Sequence, residues 1–140
     1  MLIKKAVICF IGIVIVSCTA KTEGKTVESL ILKLEQVIQE VNDSCPIQLD
    51  ELTVLESCSS KGLNVTYVYS IDNDLAKDQF DADFSSDEIK VLQAELIIEQ
   101  FCQHPDLQVY RDNNVTMIYE YYDYSGNSLL GVSANNSDCK

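Results

Sequence analysis

Tryptophan is absent from this 140-residue chain, histidine occurs once, proline twice and methionine twice, and only five glycines are present. Each scarcity narrows the chemistry. The single histidine, His104, cannot build a histidine-rich metal centre. As a general base it would need a nucleophile and an orienting acid beside it. It follows a helical stretch, where imidazole ordinarily makes a favourable contact with the helix dipole. The scattered glycines form no phosphate-cradling loop, and neither G-x-S-x-G nor H-E-x-x-H occurs. Basic residues number 10 against 22 acidic ones, a net charge of −12. Such a surface repels phosphate backbones, so nucleic acid is not an expected partner. With no convergent nucleophile, base or metal set, the sequence predicts a protein that is not an enzyme and carries no cofactor.

What is present begins with an address. The N-terminus reads MLIKKAVICFIGIVIVSCTAK. Lys4 and Lys5 form a charged n-region, and Ala6 to Val16 an apolar stretch too short for a permanent bilayer span. It closes on Ile15-Val16-Ser17-Cys18, which resembles the lipobox of bacterial lipoproteins. The resemblance implies cleavage after residue 17 and lipidation of Cys18, with several acyl chains giving near-permanent anchoring. Residue 19 is Thr rather than Asp, which implies the outer membrane, on its periplasmic face or at the cell surface. Loss of residues 1–17 removes Lys4 and Lys5 and leaves 8 basic residues against 22 acidic, a net of −14. Residues 18–25 read as the lipidated cysteine and a polar, flexible tether. Residues 26–140 are the right length for one domain with a modest core.

Within that domain the apolar period changes along the chain. Val27, Leu30, Ile31, Leu34, Val37, Ile38 and Val41 share one helical stripe, with Thr26 as N-cap and Cys45-Pro46 as the stop. Leu52 to Ser57 and Leu63 to Ile71 read as a hairpin, the second strand alternating Val65, Tyr67, Tyr69, Ile71 inward. The acidic stretch from Asp72 to Asp83 reads as irregular. Ser85 and Glu88 match a capping box opening a second helix with Ile89, Leu92, Leu96, Ile97 and Phe101 inward. A helical turn is expected from Pro105 to Tyr110. Val115, Met117, Tyr119 and Tyr121 then alternate, DYSGN turns the chain, and Leu129 to Ala134 returns. The expected fold is α+β: an antiparallel sheet of about four strands with two long helices on one face. The tripeptide Asn-Val-Thr opens two of the strands, at Asn64 and Asn114, each after a helix, a Cys and a Pro. That order suggests two α-β-β halves.

Four cysteines remain after the signal and Cys18: Cys45, Cys58, Cys102 and Cys139. In an exported domain they read as two disulfides with three connectivities. Zinc is a poor rival, because no C-x-x-C pair and only one histidine occur. Asp81-x-Asp83-x-Ser85, within Asp72 to Asp87, resembles the opening of a calcium loop. Its sixth and twelfth positions are Ser86 and Leu92 rather than Gly and Glu. Tyr122 and Tyr124 fall opposite the core-facing tyrosines and form a candidate recognition surface, since tyrosine supplies rigid contact area.

The pattern Asn42-x-x-Cys45-Pro46-x-x-x-Asp50-x-x-Thr53-x-Leu55 is followed by Tyr67-x-Tyr69 and Cys102-x-x-Pro105. Tyr119-x-Tyr121-x-Asp123-x-x-Gly126 and Asp138-Cys139 complete it. It resembles a group of small exported bacterial proteins and lipoproteins of unknown function, over most of residues 40–139. Many members carry Leu at the position of Cys45, so the likeness implies that Cys102 pairs with Cys139. Cys45 and Cys58 are then left to each other. That bridge needs a bent segment, because a straight strand would hold them too far apart, and the change of apolar phase between Leu49 and Leu52 hints at one. The functional expectation is a lipid-anchored, non-catalytic binding or assembly-accessory module of the cell envelope, with a protein partner there. The alternative is an acidic inhibitor or immunity protein that masks a basic envelope-active hydrolase.

Overall fold

The computed structural model describes residues 26–140. The expected signal peptide, Cys18 and the tether lie outside the described residues. Helix α1 spans Val27–Asp43, capped by Thr26, whose side chain accepts from Ser29 N at 3.3 Å. Its buried residues are Leu30, Leu34, Ile38 and Val41, the stripe expected from the sequence. After a cis Cys45-Pro46 bond the chain enters strand β1, Ile47–Gln48, then β2, Thr53–Lys61, and β3, Asn64–Ile71. Gly62, at φ +59, turns the β2–β3 hairpin. Helix α2 spans Asn73–Phe80 and α3 spans Asp87–Gln103. A 3-10 turn, Pro105–Leu107, leads into the short helix α4, Gln108–Asp112. Strands β4, Thr116–Asp123, and β5, Ser128–Ala134, close the sheet.

The fold is mixed α+β, and the sheet has five strands in the order β1-β2-β3-β4-β5. Two corrections to the expected sheet follow. The extra strand is the two-residue β1, which pairs Ile47 with Leu55 and is too short to leave an alternating pattern. The sheet is also not wholly antiparallel: β3 and β4 run parallel, with Asn64 beside Thr116 and Tyr69 beside Tyr121. A parallel neighbour requires a long crossover, and α2, α3 and α4 supply it. The register also bears on the Asn-Val-Thr tripeptides. Asn64 pairs with Thr116, not with Asn114, so the two Asn-Val-Thr tripeptides are offset by two residues. Asn64 is a strand residue, whereas Asn114 precedes its strand in a left-handed conformation at φ +55, which Asn tolerates well. The shared tripeptide thus serves two different local structures.

Both long helices cover one face of the sheet. Cys58, register partner of Tyr67, lies under α1, with its Sγ 3.3 Å from Ile38 O. Tyr121, beside Tyr69 on the same face, has its hydroxyl next to the buried Gln93 side chain of α3. Between the helices lies a tyrosine ladder. Tyr67, Tyr69, Tyr119 and Tyr121 are all at most 1 % exposed, and their near-parallel rings have centroids 4.8 Å apart for Tyr69–Tyr121 and 5.8 Å for Tyr67–Tyr119. Offset aromatic stacking at these separations adds to simple area burial. Burial pushes the Tyr119 hydroxyl well above its ordinary range, and does the same for Tyr69 and Tyr121.

Three local expectations are also revised. Asp72 to Asp83 is not irregular, because Asp72 caps α2 by accepting from Leu75 N at 2.9 Å. The N-cap of α3 is Ser86, accepting from Ile89 N, rather than Ser85. Ser85 instead bonds to Asp83, its backbone N–H donating to Asp83 Oδ1 at 2.9 Å. Leu92 is 43 % exposed, and the buried residues of α3 are Gln93, Ile97 and Phe101. Apolar residues surround this helix on nearly every side, so its period carries little contrast.

Candidate functional site

Most residues of the sequence signature have structural work. Asn42 Oδ1 accepts from Cys58 N at 3.0 Å and ties α1 to β2. Asp50 Oδ1 accepts from Leu52 N at 2.8 Å in the turn before β2. Asp123 organises the β4–β5 turn, its Oδ1 accepting from Ser125 N at 2.9 Å and Asn127 N at 2.8 Å. Those bonds hold its carboxyl below the usual range, the Asn127 contacts contributing most. Asp138 and Asn135 form a capping box around the final 3-10 turn. Thr53 and Leu55 are buried. The signature therefore encodes turns, caps and core rather than a reaction centre.

Cys102 and Cys139 are bridged, with Cα atoms 5.3 Å apart, fastening the C-terminus to the last turn of α3. The second expected bridge is corrected: Cys45 and Cys58 are free thiols. The bent segment exists, through Pro46 and a register shift between Leu55 and Ser57, and it brings the two sulfurs within hydrogen-bond reach. Each sulfur also lies against a carbonyl in the last turns of α1, Cys45 Sγ 3.4 Å from Val41 O and Cys58 Sγ 3.3 Å from Ile38 O. Both thiols thus point their donors at carbonyls of α1, in addition to the backbone bond that Val41 O already accepts from Ser44 N. Burial pushes the Cys58 thiol up to about 12 and raises that of Cys45, so neither is a ready nucleophile.

Cys58 also forms part of a groove of 370 Å³ between α1 and β2, lined further by Glu35, Ile38, Gln39, Asn42, Ser59 and Ser60. The acidic stretch that resembled a calcium loop is used internally. Asp83 Oδ1 accepts from Ser85 N and from Asn73 Nδ2 at 3.2 Å, and Lys77 Nζ approaches it at 3.8 Å. The Ser85 and Asn73 bonds lower its carboxyl to about 2. No group of three or more His, Cys, Asp or Glu side chains converges as a metal site among the described residues. His104 caps the following 3-10 turn, with Nδ1 accepting from Asp106 N at 3.3 Å.

The sheet face opposite the helices carries the candidate recognition tyrosines. Tyr122, half-buried, donates to Glu120 Oε2 at 3.3 Å and stands beside Ser70. Tyr124 is 59 % exposed. Partial burial first, and then the charges of Asp72, Glu56 and Asp50, raise its hydroxyl above the ordinary value. Sequence reasoning missed the carboxylates around it, because they come from three separate elements. It also missed Arg111, a buried guanidinium that donates to the carbonyls of Phe101 and His104 (3.0 Å) and to Gln108 Oε1 at 2.9 Å. The helical phase at Arg111 was the available signal.

Residues 29–130 match the family described as Domain of unknown function (DUF8479). The chain belongs to that family. No curated protein matches the sequence. Among solved structures, the DUF8479 chain is similar to the pilotin EpsS of the Vibrio vulnificus type 2 secretion system. The TM-score is 0.60 at 12 % identity, over 81 % of this chain and 94 % of that one. It is similar to the pilotin AspS of the Vibrio cholerae type II secretion system, with a TM-score of 0.57 at 14 % identity, over 80 % of this chain and 94 % of that one. A candidate secreted protein from Pseudomonas aeruginosa matches with a TM-score of 0.63 at 14 % identity, over 84 % of this chain and all of that one. The DUF8479 domain and these three proteins therefore share a fold.

Proposed function

We propose that this chain is a lipid-anchored, non-catalytic accessory of an envelope assembly. Cys18 holds it at the outer membrane, and the folded domain binds a protein partner there. The observation that carries this reading is the extent of the shared fold: the likeness takes in 94 % of each of two pilotins of type 2 secretion systems. A whole-domain likeness speaks for a common scaffold, not a borrowed motif. The lipobox supplies a fixed address, which an assembly accessory needs. The signature residues spend their hydrogen bonds on turns and caps, which suits a scaffold whose work is done by its surfaces. The acidic surround of Tyr124 favours one second reading, an inhibitor that masks a basic hydrolase.

The two readings separate on capture of partners from envelope extract by the full-length chain in detergent, washed at low and at high salt. The accessory reading expects a subunit of a membrane assembly retained through the high-salt wash by apolar contacts. A basic hydrolase released by that wash would overturn it in favour of the inhibitor, because exposed charge attraction is screened within about 8 Å at physiological ionic strength and more closely above it.

A further inference from the structure

We infer that the end of the open sheet face around Tyr122 and Tyr124 is the docking surface for a partner segment rich in arginine or lysine. This deepens the accessory reading and rests on it, adding a salt-sensitive contact to the apolar ones that keep the partner bound at high salt. Parallel pairing of β3 with β4 brings four chain segments to one corner. Ser70 stands beside Tyr122, and Ile71 beside Asp123, so Tyr124 leaves the sheet next to Asp72. Asp72 N donates to Leu52 O at 2.8 Å, and Leu52 N donates to Asp50 Oδ1 at 2.8 Å, which fixes both acids at the same corner. Glu56 sits at the irregularity in β2 and accepts from Ser70 Oγ. Glu120 holds the Tyr122 hydroxyl. Asp50 Oδ2 is enclosed and accepts no hydrogen bond. Lys77, the cation on the helix that Asp72 caps, is engaged with Asp83.

The corner therefore combines two tyrosine rings, one of them 59 % exposed, with carboxylates from the β1–β2 turn, β2, β4 and the α2 cap. A guanidinium or ammonium group is the occupant that satisfies both features. It stacks on the negative face of a ring and donates charge-assisted hydrogen bonds to carboxylates. A neutral apolar segment would leave the carboxylates desolvated and unpaired, and an acidic one would be repelled. The acidic excess of the whole chain adds long-range attraction for a basic partner.

The test uses the full-length chain in non-ionic micelles and a defined probe. The probe is a 12-residue peptide of alternating arginine and serine, and the control replaces each arginine by citrulline, which is neutral and of nearly the same shape. Backbone NMR shifts on addition of the arginine peptide should cluster at residues 50–56, 70–72 and 120–124. The variants Tyr124→Ala, Glu56→Gln and Asp72→Asn keep the local fold, since Tyr124 is exposed, Gln still accepts from Ser70, and Asn still caps α2. Each should weaken the peptide by roughly two- to fivefold, as expected for one exposed cation–π or ion-pair contact. The triple variant should weaken it by roughly tenfold or more. Equal binding of the citrulline peptide, shifts confined to the α1–β2 groove, or an unweakened triple variant would each overturn the assignment. The salt-resistant capture described above would still stand or fall separately.

Discussion

Replacing Arg111 by methionine probes the joint between α3 and the crossover to β4. The guanidinium is 6 % exposed and donates to the carbonyls of Phe101 and His104 and to Gln108 Oε1, with no carboxylate among those partners. Methionine keeps the apolar stem and lifts the cost of burying a charge. It also leaves the Phe101 carbonyl at the C-terminal end of α3 without its donor, while His104 O keeps Leu107 N, and an enclosed acceptor that loses its partner costs about 1–3 kcal/mol. The positive charge at the negative end of the helix contributes a further ~0.3–1 kcal/mol. The carbonyl at Phe101 belongs to a fully buried residue, so water cannot fully replace the lost donor, and the penalty outweighs the relief. The expected net loss is about 2–3 kcal/mol, a fall in Tm of roughly 8–15 °C for a domain of this size. Arg111→Lys should recover only part of it, because an ammonium lacks the planar fork that reaches the carbonyls through Nη1 and Gln108 Oε1 through Nη2. Thermal unfolding followed by circular dichroism reads the effect. A fall of less than about 2 °C for Arg111→Met would refute the claim that this residue closes the helix end.

Other outcomes follow from the same structure. Tyr69→Ala removes the ring stacked at 4.8 Å on Tyr121 and should cost about 3–5 kcal/mol in urea unfolding, as large-to-small changes in aromatic cores do; Tyr124→Ala, at an exposed ring, should change stability by less than ~0.5 kcal/mol. Reduction of Cys102–Cys139, which closes a span of 37 residues, should cost about 2–4 kcal/mol, measured by the denaturant midpoint with and without reductant. Asp83 is held at about 2 in the folded chain, below its unfolded value near 4. Its ionised form therefore favours the folded state above about pH 4, and that stability is lost as pH falls toward 2. Asp83→Asn should flatten the acid limb of a stability–pH curve, and an unchanged limb would contradict the assigned hydrogen bonds.

The elements legible in sequence are those whose period had contrast. The stripe from Leu30 to Val41 and the alternation of Tyr67, Tyr69, Tyr119 and Tyr121 each expose one face and bury the other, and both were readable. The Cys102–Cys139 pairing came with the family likeness and not from spacing. Strand direction was not readable from composition: β3 and β4 have the alternation of any half-buried strand, and only the long helical connection between them marks the pairing as parallel. Leu92 misled because α3 is apolar on several sides, so no single phase stands out. The α2 helix was hidden by its acidic composition, which resembles a loop until the Asp72 cap is recognised. The candidate surface was half legible. Tyr122 and Tyr124 were visible as the odd members of an alternating run, but Asp50, Glu56 and Asp72 join them only through the β1–β2 turn, the β2 irregularity and the crossover.

The central claim, that the chain serves an envelope assembly by holding a partner subunit, is tested most directly by the yield of that assembly in cells. Outer membranes from cells with and without the chain are solubilised and separated on native gels, and each complex is compared with its unassembled subunits. The account predicts that one multisubunit complex falls severalfold without the chain, that its subunit accumulates unassembled, and that wild-type chain but not Cys18→Ala restores it. Unchanged complexes, together with raised activity of an envelope hydrolase, would contradict it.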